Sequence, residues 1–405
     1  NSSLHGDRRV PGPRAWETPS AMPVPATRVS VEEEFRRRFG REPEVVVRAP
    51  GRVNLIGEHT DYNDGFVMPM AIDRWVTIAA RPRTDGRVTL HSIDLNDEGS
   101  FTLGGQGEPS REWIDYVRGV AWALSDGGKA LTGFDGVVSG NVPVGAGLSS
   151  SAAFEMAATR VFAAVSGFEW EAVDMARAGQ RAENLWMGVN CGIMDQLISA
   201  GGQAGHAILI DCRSLDMRPV PLSRDVAVVV LDTTTRRQLV GSEYNDRRDQ
   251  CAAAAAACGA SSLRDVSQSQ LDAAREAMGE VAFRRARHVL SENDRTLRAA
   301  EAMRAGDARL LGQMMNESHQ SLRDDYEVST RALDAMAESA RSAPGCHGAR
   351  LTGAGFGGCV VALVDRHRLH GFAPQAVATF TATMHLVPAV YPCEAVGGAE
   401  VVGPV

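Results

Sequence analysis

Lysine is almost missing from this 405-residue chain: Lys129 is the only one, and arginine supplies the rest of the 42 basic residues. That scarcity excludes two ways of handling ATP. A Walker-type phosphate loop needs Gly-Lys-Ser/Thr, and Lys129 stands in Gly-Gly-Lys-Ala. The protein-kinase set of a Val-Ala-Ile-Lys strand, His-Arg-Asp and Asp-Phe-Gly is missing as well. Cysteine is sparse and unpatterned, with seven residues and no Cys-x-x-Cys pair. This reads as reduced thiols of a cytoplasmic protein, not as a disulfide frame or a zinc site. No apolar run is long enough to span a bilayer. Nor is there an excess of positive charge: 50 acidic residues give a net charge of -8 and a pI near 5.7. A basic face for nucleic acid is therefore not expected, although backbone N–H nests can hold phosphate on an acidic protein. No membrane or protein partner is implied. Asn1–Ala21 is polar and proline-containing, without the apolar core of a signal peptide, and is expected to be a tail, native or introduced.

What is present suits an ordinary globular protein, 44% hydrophobic and 23% charged. The length suits two domains, with a change of character near 210–225. Residues 22–215 are expected to form an N-terminal domain and 216–405 a C-terminal α/β domain. In the first, a helix is expected over Val31–Phe39, with short strands at Val45–Val47, Phe66–Ile72, Trp75–Ala80, Arg87–Ser92, Phe101–Leu103, Gly136–Ser139 and 206–211. Helical spacing covers Trp113–Ser125, Ala152–Val165 and Glu171–Met187. In the second, 226–231, Cys359–Val364 and Val387–Pro392 read as strands. Gln238–Cys258, Phe283–Met303, Ala308–Arg323 and Val328–Ser342 read as helices.

Three segments carry chemistry. The first, Arg48-Ala-Pro-Gly-Arg-Val-Asn-Leu-Ile-Gly-Glu-His-Thr-Asp-Tyr-Asn63, packs Arg52, Asn54, Glu58, His59 and Asp61 into ten residues. Interrupted by Pro and Gly, it suits a loop that offers several fixed partners to a polyol. A solvated turn with local Asx bonds is the plainer alternative. The second, Asn141-Val-Pro-Val-Gly-Ala-Gly-Leu-Ser-Ser-Ser-Ala-Ala153, runs from a strand through Gly145 and Gly147 into a strong helix. Its free helix-start N–H groups favour an anion, so it forms a phosphate cradle that needs no lysine. A glycine turn with a serine cap is the plainer alternative. The third, Leu351-Thr-Gly-Ala-Gly-Phe-Gly-Gly-Cys359, matches Gly-x-Gly-x-x-Gly at Gly353, Gly355 and Gly358 but opens a strand, not a helix. It therefore reads as a tight turn against another segment and not as a dinucleotide fingerprint. Outside these segments, Asp195 lies in an apolar stretch, where an acid needs a partner or a task. Glu183 sits twelve residues earlier on an expected helix, where a solvated charge is the common case.

In that order, the segments resemble the three signature motifs of the kinases acting on galactose, homoserine, mevalonate and phosphomevalonate. Gly51-Arg-Val-Asn-Leu-Ile-Gly-Glu-His-Thr-Asp-Tyr62 is similar to the galactokinase signature nearly residue for residue, and the likeness runs from about 30 to about 398. The resemblance implies a two-domain α/β (α+β) fold with the active site in the cleft between domains, and phosphorylation of the 1-hydroxyl of galactose by ATP. It implies that the loop Gly145, Ala146, Gly147, Leu148, Ser149, Ser150 and Ser151 wraps the ATP phosphates, and that Ser151 and Glu183 hold Mg2+. Asp195 resembles the base or orienting group at the sugar hydroxyl, with Arg52 the cation beside it. Glu58, His59, Asp61, Gly192, Asp195 and Tyr244 match family sugar contacts. The glycine turn at 352–358 is expected beside the site. Two alternatives remain at this point: a kinase of the same fold acting on N-acetylgalactosamine or arabinose, and a sugar- and ATP-binding sensor without turnover. Sensors of that kind lack a Ser-Ala stretch that stands here as Ser151-Ala152.

Overall fold

The computed structural model describes residues 29–403 apart from 106, 111 and 237–239; the expected tail 1–21 lies outside the described residues. Mixed sheets and helices make an α/β fold. The first sheet has six strands in the order Glu400–Val401, Val45–Asn54, Pro69–Arg83, Gly133–Gly140, Arg87–Ser92 and Asp97–Thr102. All its neighbours are antiparallel except Arg87–Ser92, which runs parallel to Gly133–Gly140. Helices Ser150–Ser166 and Met194–Gly201 cover one face, and Asp115–Asp126 packs against Ser150–Ser166. Val31–Phe39 packs on the other through Val31 and Phe35, which meet Val46, Ala79 and Val137.

Strand Val45–Asn54 continues past Pro50 and Gly51, where the sequence alone suggested it would stop. Its pairing with Pro69–Arg83 shifts register between Pro50 and Arg52, so the strand survives as a bulge instead of ending. The extra residues at this shift, half-buried Asp73 and Arg74 among them, lie on the partner, one 15-residue strand that the sequence split into two.

A second sheet, ordered Cys346–Thr352, Cys359–Asp365, Val226–Asp232 and Ala389–Cys393, is antiparallel throughout. Its central strand Val226–Asp232 is buried on both faces. Val226, Val228 and Val230 join the core shared with the first sheet, whereas Ala227, Val229 and Leu231 meet the helices behind. This two-sided burial explains the unbroken apolar run. Three further strands, Phe66–Val67, His206–Asp211 and Asp216–Pro221, form a small sheet. The long helix of this half is observed from Val240 to Ala257, while 238–239 of its expected start lie outside the described residues. Helix Arg275–Arg304 breaks at Gly279 (φ 77), beyond which it runs unbroken through the expected span.

Candidate active site

The site lies where strand Val45–Asn54, the Gly145–Ser151 loop and helix Met194–Gly201 converge. Arg52, at the bulge, is buried. Its Nε and Nη2 donate to Asp195 Oδ1 and Oδ2 at 2.7 and 2.8 Å, a two-pronged pair, and its Nη1 donates to the Gly147 carbonyl at 2.6 Å. Asp195 occupies the first turn of its helix, where the macrodipole favours a negative charge. Its carboxylate remains 29% exposed, so it is partnered yet reachable. Ser149 Oγ also donates to Asp195 Oδ2, which explains why Ser149, the residue before helix Ser150–Ser166, makes no side-chain cap to it.

The loop itself turns through Gly145 (φ 69) and Gly147 (φ 81). Backbone packs against it from two directions. Arg52 N donates to Leu148 O at 3.1 Å, and a Cβ on Gly358 would stand 2.8 Å from Ala146 O. The Gly353–Gly358 turn thus lies against the loop, as a tight turn near another segment should. Arg236, paired through both nitrogens to Asp232, stands beside Gly145.

Behind the loop, Ser151 Oγ donates to Glu183 Oε1 at 3.3 Å. Glu183 lies on a π-helical turn, Ala182–Trp186, that ends helix Ala172–Arg181, and it is buried instead of solvated. Gln196 Nε2 lies between two buried carboxylates, donating to Glu183 Oε2 at 2.7 Å and Glu155 Oε2 at 3.0 Å. Burial pushes both carboxyls above the usual range; the Glu183 carboxylate raises Glu155 further, and Asp195 adds to the rise of Glu183. Among the described residues, no group of three or more His, Cys, Asp or Glu side chains could hold a metal ion unaided.

On the other side of Asp195 the turn Gly57–Asn63 brings His59 and Asp61 up to two other expected contacts, Tyr244 and Gly192. Asp61 abuts Gly192 so closely that a Cβ there would fall 1.7 Å from Asp61 Oδ2. Burial, then the nearby Asp195 and Glu58 carboxylates, push the Asp61 carboxyl up to about 7. His59 (φ 64) lies 2.8 Å through Nδ1 from Tyr62 Oη, and its ring contacts Tyr244, which also meets Tyr62 edge-on. Glu58 is placed differently. Only 3% exposed, its Oε2 accepts from Arg350 Nη2 at 2.7 Å, and burial raises its carboxyl against the pull of Arg350 and Arg52. Arg350 is fully buried and also donates to Asn54 O at 2.9 Å.

Arg350, Gln196, Glu155 and Arg236 were not singled out from the sequence. The available signal was polarity out of place: Arg350 stands between Ala349 and Leu351, and Gln196 follows Asp195 in the otherwise apolar run Ile193–Ile198.

Comparison with known proteins agrees with this arrangement. Residues 33–82 match the galactokinase galactose-binding signature, 115–203 the GHMP kinases N terminal domain and 299–377 the GHMP kinases C terminal region. A galactokinase of Roseiflexus sp. (strain RS-1) is 48% identical over 91% of this chain and 95% of that protein. The chain belongs to the galactokinase family. A second galactokinase, from Chloroflexus aggregans, is 47% identical over 85% of this chain and 90% of its own. The solved structure of Lactococcus lactis galactokinase complexed with galactose superposes with a TM-score of 0.87 at 35% identity, covering 91% of this chain and 98% of that one. A mevalonate kinase structure, at 17% identity and a TM-score of 0.62, shares the fold. The GHMP kinase fold of the galactokinase family is thus the fold of this chain. No helix among its described residues is long and apolar enough to cross a membrane.

Proposed function

We propose that this chain transfers the γ-phosphoryl group of ATP to the 1-hydroxyl of galactose, giving galactose 1-phosphate and ADP. The observation that carries this reading is the Arg52–Asp195 pair, held with Ser149 and the Gly147 carbonyl against the glycine-serine loop. Phosphoryl transfer needs positioning and charge stabilisation more than covalent work. Asp195 accepts or orients the hydroxyl proton, and Arg52 holds that carboxylate in place while offsetting charge on the transferring group. Backbone N–H groups of residues 145–151 and the start of helix Ser150–Ser166 receive the phosphates.

Ser151 and Glu183 offer two neighbouring oxygen donors. Such hard donors suit magnesium, which takes one or two carboxylates and completes its shell with water and phosphate. They would hold Mg2+, which when bound neutralises charge on the β- and γ-phosphates. Asp61, His59, Gly192 and Tyr244 shape the sugar side of the cleft. Glu58, tied to Arg350, stands as its rear wall. All seven cysteines are free thiols, which supports a reducing, cytoplasmic setting.

The test is ADP release by purified protein with Mg-ATP and galactose, glucose, N-acetylgalactosamine, arabinose or mevalonate. Turnover on galactose above all others is expected. Sugar binding without turnover would replace the kinase reading with a sensor. Turnover on another sugar would keep the phosphate site and discard the assigned pocket.

A further inference from the structure

On helix Arg275–Arg304 the polar side chains of His288 and Glu292 are fully buried, one turn apart on the same face. Both reach the peptide groups around Glu58. Glu292 Oε1 accepts from Gly57 N at 3.0 Å and from Glu58 N at 3.3 Å. His288 Nε2 lies 3.0 Å from Glu58 O. A carbonyl can only accept, so Nε2 carries the proton and Nδ1 accepts from Ser321 Oγ at 2.9 Å.

The far side is equally fixed. Ser318 Oγ donates to Glu292 Oε1 at 2.6 Å, and Arg295 Nε donates to Oε2 at 2.8 Å. Burial would raise the Glu292 carboxyl, but Arg295 and its other partners outweigh it and hold it at about 2. Burial holds His288 down at about 4, so it is neutral near pH 7. One residue along the helix, Asn293 Oδ1 accepts from Phe66 N at 2.9 Å, on the return side of the same turn.

The turn needs such support. Gly57 (φ 94) and His59 (φ 64) bracket Glu58 with two left-handed conformations. Backbone of this kind persists only where its surroundings over-determine it.

We propose that His288 and Glu292 are positioning residues for the sugar: by gripping the N–H and C=O of Glu58 from both sides, they aim His59 and Asp61 into the cleft. The proposal rests on the assignment of the Glu58–Asp61 turn to the sugar. Neither side chain touches the phosphate loop in this arrangement, so their loss should be felt on the sugar side alone.

The experiment varies galactose and ATP separately in steady-state assays, with calorimetric titration of galactose in the absence of nucleotide. The variants are Glu292→Gln, His288→Ala, His288→Gln and Asp61→Asn. Glu292→Gln and His288→Ala are expected to raise the galactose KM and Kd about tenfold, equivalent to roughly 1.4 kcal/mol, with the ATP KM little changed. His288→Gln, whose amide can donate in place of Nε2, should recover part of the loss. A lowered melting temperature with an unchanged galactose KM, while Asp61→Asn raises it, would overturn the positioning role and leave the pocket standing. An unchanged galactose KM in Asp61→Asn would remove the pocket and the proposal with it. If the first two variants fail to fold, Ser318→Ala decides, because it removes only the far-side donor to Glu292. A rise in galactose KM supports the proposal, and no change overturns it.

Discussion

Near neutral pH the carboxyl of Asp61 stands between its two forms, raised to about 7 by burial and by Asp195 and Glu58. Its carboxylate is the better acceptor for sugar hydroxyls, so galactose affinity should rise as pH passes upward through 7. Calorimetry from pH 6 to 8 would show this, and Asp61→Asn should flatten the dependence while weakening binding. Stability runs the opposite way. The native state keeps a proton that the unfolded chain releases near 3.8. This group's contribution is therefore greatest below that value and is lost as pH rises through about 7. Asp61→Asn should accordingly melt at a higher temperature than the parent at pH 8, with the gap closing toward pH 4. For the chemical step, Asp195→Asn should lower kcat roughly 10²–10⁴-fold, as for loss of a general base. Arg52→Ala should lower it about 10²–10³-fold, as for loss of an electrostatic stabiliser. Near-normal ADP release by both variants would overturn their assignment. The residue types at 52, 61, 149 and 195 were legible in the chain. The bond from Ser149 to Asp195 was not, because nothing local relates positions 46 apart.

At the scale of elements, the glycine-serine loop is held by other backbone as well as by its own turns. Gly358 (φ 88) lies against Ala146 O so closely that any side chain must push the loop or the turn aside. Gly358→Ala should therefore raise the ATP KM several-fold and leave the galactose KM near its parent value. It should also lower the melting temperature, by roughly 2–4 °C for each kcal/mol lost in a domain of this size. Separately varied substrates and a thermal melt would check both. Elements with a strong period were readable from sequence: helices Ala308–Asp324 and Arg331–Ser342 fall within a few residues of expectation. Tertiary pairing decided the misses. Asp73 and Arg74 broke an apolar pattern, yet the strand continued because they are taken up as extra residues in the register shift opposite Gly51. Strand Cys346–Thr352 was invisible because His347, Gly348 and Arg350 hide its alternation, and Gly312 packs directly against Gly348. On pattern alone Glu183 looked like a solvated helix charge, and only the family resemblance singled it out, because a π turn, which shifts the facing of later residues, leaves no mark in composition.

Across the whole molecule, the two halves are joined by polar groups as well as by apolar core. Arg350 of the second sheet is the largest fully buried side chain among the described residues, bonded to Glu58 and to Asn54 O of the first half. Thr352 Oγ1 donates to the same Asn54 carbonyl, and Asn54 N donates back to it, each at 3.1 Å. Removing one member of a buried pair strands the other charge, at a cost of about 3–5 kcal/mol. Arg350→Met should lose stability on that scale in chemical denaturation, and Glu58→Gln together with Arg350→Met should regain part of it.

The strand Glu400–Val401 has a further consequence, for synthesis. It pairs with Val47 and Arg48, and Arg48 bonds to Glu400 across 352 positions of chain. A growing polypeptide can form the hairpins around Arg52 early, but the flank of that sheet stays an open edge until the last strand has left the ribosome. Open edges invite pairing with other chains, and pairings this distant form slowly. The half-made chain therefore carries an open edge at Val47 and Arg48 that the finished chain covers.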